Sequence, residues 1–426
     1  MKMRPALAAL CCAFAFAALP ARSATLVEQP DPTAQLVGTE VLLRAGVDRQ
    51  TPKQSGLAAL VAECVLRTPV NGMPLQEAAA ANGGSITYTI EPRDVRFYVE
   101  GLTGSYATLL DIFRTALSKP DFSAQTLSAA RAALVQKIAQ NQRVALSVGI
   151  DMLNHAFYQD SDAGMPPYGV PATLASFGAA DAQAFYAEHY RRDEAVVSVV
   201  GNLRDVAGAQ YENVVAGRAP GVSRAVTVDI PKLPSNSRQL IARRDVPVPW
   251  LIAQYRAPDV KSKDFGAMLI LTAFMQRTLA DVSEVPAVAT KSAASRGVGA
   301  YYNFDTEPAN VIIYVDGGLG DPTRTFATAL TVVNIVGQAK LSGDLGEMKA
   351  YATGRFLEDT VTMQDRAWLA AVLAAHHITG ENLTYALKAM NATTGADLQR
   401  VAKEYLGIPT IALVLPRSQG AMQGSP

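Results

Sequence analysis

Apolar residues recur along this chain in two rhythms, and each rhythm predicts a different element. Residues 55–67 (SGLAALVAECVLR), 75–82, 105–118 and 123–147 are Ala/Leu-rich and long, and they predict helices. Residues 264–281 and 324–341 read the same way further on. Thr87 to Thr89, Val95 to Val99 and 309–315 are rich in β-branched and aromatic residues, and they predict strands. Two apolar stretches beside polar loops, QLVGTEVLLRAG and WLIAQYRAP, predict a further strand in each half of the chain.

The order of these elements repeats. Residues 178–203 (GAADAQAFYAEHYRRDEAVVSVVGNL) predict a helix carrying Ala184, Tyr186 and Tyr190, then an apolar strand from Ala195 to Val200. Residues 395–416 (GADLQRVAKEYLGIPTIALVLP) predict a helix ending near Tyr405, then a strand from Thr410 to Leu415. In both copies an Asp near the helix start favours the exposed amides there. Pro and polar residues between them, AGRAPGVSRAVTVDIPKLPSNSRQ, suit a linker. The expected plan is α+β: two homologous halves at 24–215 and 241–420, a linker at 216–240 and a flexible tail at 421–426. Each half is a mostly antiparallel sheet with helices packed on one face.

The first 23 residues stand apart. Lys2 and Arg4 precede PALAALCCAFAFAAL, and Ala21-Arg22-Ser23 offers small residues for a peptidase. This predicts a cleaved signal peptide, cut near Ser23-Ala24, and a periplasmic chain. No later stretch is apolar enough for a transmembrane segment. Cys11 and Cys12 leave with the signal, and Cys64 alone stays, read as a buried small hydrophobe. Lys plus Arg equals Asp plus Glu, 38 each, so no basic excess points to nucleic acid. Four His are dispersed. Adjacent His376 and His377 would diverge on a helix and suit a helix end, and His155 and His189 stand alone locally. Gly83-Gly84 and GGLGDP at 317–322 lack the phosphate-loop spacing, and no G-x-S-x-G elbow is present.

One series of residues carries more. GLAALVAEC at 56–64, LQEAAAANGGSITYTIEPRDVRFY at 75–98, Pro167-Tyr168-Gly169 and VVSVVG at 196–201 occur in order. The series resembles the insulinase/pitrilysin-type zinc peptidase family, over about 30–420 of the chain. That resemblance implies a metallopeptidase-like fold and an inverted motif, His-x-x-Glu-His. Here the motif positions hold Ala59, Ala62 and Glu63 in place of His, Glu and His. Two imidazoles one turn apart are what would hold Zn²⁺, and methyl groups cannot. The third ligand, a Glu implied near 129–143, has no counterpart, because AARAALVQKIAQNQR contains no acid. No metal or other cofactor is therefore expected on this chain, and no catalytic residue.

The resemblance implies that the second half lends an Arg and a Tyr to the chamber. The candidates for substrate binding are Arg296, Tyr301 and Tyr302, with Arg277 as a further one. An Arg would pair with a carbonyl or carboxylate, and a Tyr would donate to a developing oxyanion. The family spacing is kept only with a gap, giving Arg296 and Tyr301; an ungapped reading puts Arg296 in the Tyr slot and Ala289 in the Arg slot. Some family members divide the work over two chains. The expectation is thus a non-catalytic, substrate-binding subunit of an exported heteromeric peptidase that hydrolyses peptides. A homologous partner in a heterodimer or larger assembly would supply the zinc. The alternatives are an inactive homodimeric peptide-binding or scaffolding protein of the cell envelope, and an independent enzyme using other residues.

Overall fold

The computed structural model describes residues 24–158, 164–204, 208–221, 223, 237–283, 297–318, 322–337, 344–380 and 382–417. The signal segment, most of the linker, Arg296 and the tail lie outside them. In the first half the order is β1 (Thr25–Pro30), β2 (Leu36–Leu43), α1 (Leu57–Arg67), β3 (Pro69–Val70), β4 (Met73–Pro74), α2 (Leu75–Ala81), β5 (Gly84–Ile90) and β6 (Val95–Leu102). There follow α3 (Tyr106–Ser118), α4 (Ala124–Asn141), α5 (Ala145–Phe157), α6 (Pro171–Ser176), α7 (Ala179–His189), β7 (Val196–Gly201) and α8 (Gly208–Ala216). The second half runs β8 (Arg238–Arg244), β9 (Trp250–Arg256), α9 (Phe265–Ser283), β10 (Val298–Asn303), β11 (Asn310–Asp316) and α10 (Pro322–Gly337). It closes with α11 (Leu345–Glu358), α12 (Met363–Ala375), α13 (Asn382–Ala392), α14 (Gly395–Tyr405) and β12 (Thr410–Pro416).

The two halves have one topology. The first sheet runs β1-β7-β2-β6-β5 and the second β8-β12-β9-β11-β10. In each, the first strand pairs parallel with the last, Thr25 opposite Val196 and Thr410 opposite Arg238, while the other pairs are antiparallel. This is the α+β duplication expected from the repeating pattern. The parallel outer strands β1 and β8 are additions to the elements read from the sequence. Their partners lie more than a hundred residues away, so no local turn signal announces them.

Helices cover one face of each sheet and form its main core, with Phe97, Phe113 and Tyr106 central in the first and Phe265, Met268 and Ile313 in the second. The opposite faces are each covered by a helix from the other half. Leu146, Val148 and Leu153 of α5 pack on Ile252, Ile312 and Val414 of the second sheet. Ala367, Ala371 and Ala374 of α12 pack on Tyr98, Leu42 and Val196 of the first. Close approach requires small residues there. A Cβ on Gly149 of α5 would lie 2.5 Å from Ile252 Cδ1.

The continuous helix expected at 123–147 is two helices. The chain turns at Gln142–Val144, and only then can α5 leave its own half for the other sheet. The spacing of apolar residues does not register this break, because both pieces are apolar on one side and no Pro or Gly separates them. Among the described residues, no helix is long and apolar enough to cross a membrane.

Candidate functional site

Helix α1 carries the altered motif and is buried on all sides from Leu57 to Leu66. Its start is a tight junction. Gly56 has φ +95° and Gly169 of the Pro-Tyr-Gly stretch has φ +72°, and a Cβ on Gly169 would lie 2.4 Å from Gly56 Cα. Side chains at either position would force the two loops apart. The glycine that opens the motif and the distant Pro167-Tyr168-Gly169 are thus one structural feature.

Ala59 and Ala62 are fully buried core methyls. Glu63 is committed on both oxygens: Oε1 pairs with Arg67 at 2.8 Å, and Oε2 accepts a hydrogen bond from the Tyr88 hydroxyl at 2.8 Å. Burial and this carboxylate hold the Tyr88 phenol well above its usual range. The later helix α4 contributes Lys137 to the same corner. Its ammonium lies 4.4 Å from the centre of the Tyr168 ring and 4.8 Å from that of Tyr88. Burial lowers the Lys137 pKa, and the nearby Glu63 opposes that shift. Zinc does not fit these residues. Two methyls offer no lone pair, the one carboxylate is already paired, and the adjacent side chain is a cation. Among the described residues, no group of three or more His, Cys, Asp or Glu could hold a metal ion.

Sequence reasoning missed Lys137. Its signal in 129–143 is a single Lys on an Ala/Leu-rich helix that carries no acid. Cys64 is buried in the same helix, with its thiol pushed up to about 12 by burial. His189 ends α7 buried against Ser223 Oγ at 2.9 Å, and burial lowers its pKa to about 4. His376 caps α12, buried beside Glu307 at 3.2 Å, and is likewise lowered to about 4. His155 is exposed on α5 and His377 follows the α12 cap, so the four imidazoles do not converge.

A cavity of about 540 Å³ lies where the halves meet. From the first half it is lined by Glu40 on β2, Thr89 on β5, Glu91 in the β5–β6 turn and Arg96 on β6; the second half supplies residues of α9, β10, α11 and α12. Arg96 is buried and bridges the halves, 3.0 Å from Asp305 and 3.5 Å from Asp94. Trp368 Nε1 donates to the same Asp305 carboxylate at 3.3 Å. Glu40 is 4% exposed, and burial pushes its carboxyl up to about 8 against the opposing pull of Arg96.

Tyr301 and Tyr302 both line this cavity. Tyr302 is tied down, its hydroxyl donating to the Pro258 carbonyl, and it packs on Phe265 and Phe304. Tyr301 leans on Tyr314, 6.4 Å between ring centres, in the layer beneath α5. Arg277 is not among the lining residues; it pairs on the outside with Glu347 at 2.9 Å and lies over the Tyr351 ring. Arg296 lies outside the described residues. The structure therefore brings the two tyrosines to the inter-half cavity and leaves Arg277 at the surface.

The class this describes is a duplicated α+β metallopeptidase-like chain whose zinc motif is replaced. Residues 25–169 match the profile described as Insulinase (Peptidase family M16). An uncharacterized zinc protease of Bacillus subtilis, YmxG, is 21% identical over 182 residues, 42% of this chain and 44% of that one. The match thus spans less than half the length of that curated relative. Two solved structures share the fold nearly end to end. A peptidase M16 inactive domain from Pseudomonas fluorescens gives a TM-score of 0.75 at 16% identity, covering 93% of this chain and 97% of its own. A protease from Helicobacter pylori gives 0.74 at 17%, with the same coverage. Residues 25–169 match the M16 insulinase-type profile, and the chain as a whole shares the fold of M16 peptidase-like structures while lacking the His-x-x-Glu-His motif.

Proposed function

We propose that this chain is the non-catalytic, substrate-binding subunit of an exported heteromeric zinc peptidase that hydrolyses peptides. One observation carries the reading: the motif corner is rebuilt as a closed packing unit while the inter-half cavity keeps a polar lining. At the corner, Arg67 and Tyr88 bond the two oxygens of Glu63, and Lys137 lies over the Tyr88 and Tyr168 rings. A damaged active site would leave polar groups stranded, and a stranded buried carboxylate is costly. The cavity, by contrast, holds Glu40, Arg96 and Tyr301 at its walls. The outermost strands β5 and β10 each contribute to its lining, and an extended peptide could add to either one.

In this reading the partner is a chain of similar fold that retains His-x-x-Glu-His, in a heterodimer or larger assembly, and the zinc belongs to that partner. Export rests on the apolar segment before Ala24. The test is to mix this chain with the candidate zinc-bearing subunit and assay peptide cleavage. Cleavage well above that of the partner alone is expected. A mixture no more active than the partner sinks the complementation reading. A stable homodimer that binds peptide but activates nothing would establish the scaffolding alternative instead.

A further inference from the structure

The duplicated topology gives the altered motif a counterpart in the second half. Strand β10 takes the outer place in its sheet that β5 takes in the first. Helix α9 packs on β10 as α1 packs on β5, and α11 packs on α9 as α4 packs on α1. On α9 the residues facing the cavity are Leu269, Thr272, Ala273 and Gln276. The first three repeat the spacing of Ala59, Ala62 and Glu63. The first corner is filled by its own side chains, and its counterpart opens into the cavity of about 540 Å³. That volume is within the range of pockets that bind ligands.

Two polar groups there have no partner among the described residues. Thr272 is 6% exposed and Gln276 4% exposed, and neither Thr272 Oγ1 nor Gln276 Nε2 makes a hydrogen bond. Both are hydrogen-bond donors, and burying a donor without an acceptor costs free energy. The apolar part of the lining is formed by Leu269, Ala273, Phe304 and Phe356, while Arg355 and Glu358 of α11 and Asp365 of α12 line the same cavity. An occupant suited to this site brings an apolar body and at least one carbonyl oxygen.

We propose that this second-half pocket takes a large apolar side chain of a bound peptide, with Thr272 and Gln276 donating to that peptide's carbonyl oxygens. The proposal rests on the peptide-binding reading above and adds where and through which residue type the peptide is held. Trp368 lines the cavity, whereas Trp250 is buried in the layer under α5. Trp368 fluorescence in a Trp250→Phe background, together with calorimetry on the unmodified chain, reports occupancy.

The probes are a capped hexapeptide with one central Phe and its Phe→Ser counterpart. The Phe peptide is expected to bind saturably and change the Trp368 emission, at least tenfold more tightly than the Ser peptide. Gln276→Leu should weaken it about tenfold, and Ala273→Phe, which fills the pocket, should abolish it. If Ala273→Phe does not fold, Thr272→Val joins Gln276→Leu as the deciding pair. Equal affinity for both peptides, or affinity unmoved by the variants, overturns the pocket assignment and leaves the peptide-binding reading standing. No heat and no binding with either peptide overturns both.

Discussion

The corner made by α1, α4 and β5 and the corner made by α9, α11 and β10 occupy equivalent places in two copies of one fold. They have reached opposite ends. The first is closed: Glu63 is bonded twice, Lys137 lies over two aromatic rings, and Ala59 and Ala62 have no accessible surface. The second retains a cavity with two buried donors lacking acceptors. A site that has lost its ligands is stable only when its remaining charges find one another. A site that still receives something can leave polar groups unpaired until it arrives.

The comparison can be broken first at Arg96. It links the halves, and its loss removes the buried cation from Asp305 and leaves Asp94 paired with Arg44 alone. Arg96→Ala should cost on the order of 3–5 kcal/mol of stability, read by urea unfolding. A loss under about 1 kcal/mol would show that the halves do not depend on this bridge.

Next is Glu40, on the cavity wall. Burial pushes its folded carboxyl up to about 8, from an ordinary value of 4.5. Folding therefore takes up a proton between those values. The stability tied to this group is full below pH 4.5 and is lost as pH rises through 8. Glu40→Gln has no proton to lose, so its stability relative to the parent should rise across that window by a few kcal/mol. Parallel pH profiles for the two proteins would refute the assignment.

The closed corner gives smaller effects. Tyr88→Phe removes the hydroxyl bonded to Glu63 and should cost about 1–2 kcal/mol in thermal or chemical unfolding. Lys137→Met keeps the stem packed and removes only the charge over the rings, so about 0.5–1 kcal/mol is expected. Were Lys137→Met the more damaging of the two, the cation rather than the hydroxyl would be what holds this corner shut.

Much of the architecture was legible in the chain. The repeat of helix, Tyr and strand near 178–203 and 395–416 corresponds to α7-β7 and α14-β12, each carrying an Asp that caps its helix. The altered motif was legible because it is local: three positions on one helix. The pocket on α9 left a weaker trace. Thr272 and Gln276 are the polar side chains in FGAMLILTAFMQ, one turn apart on an apolar face. Such a pair reads as well as a helix surface, and only burial separates the two cases. Arg277, next to Gln276, looked the better candidate by charge, yet one residue along a helix turns the side chain through about 100° and out of the cavity.

The sequence by itself determined the two halves, their helices and most strands, and the absence of imidazoles from α1. Each of these depends on neighbours within a few turns or on a pattern repeated along the chain. Tertiary structure alone decided that β1 and β8 complete the sheets in parallel, that α5 and α12 cross to the opposite half, and that Lys137 stands beside Glu63. It alone showed one corner filled and its counterpart open. Those outcomes depend on which distant surfaces meet, and burial of apolar area rewards any well-packed meeting without marking its partners in the local sequence.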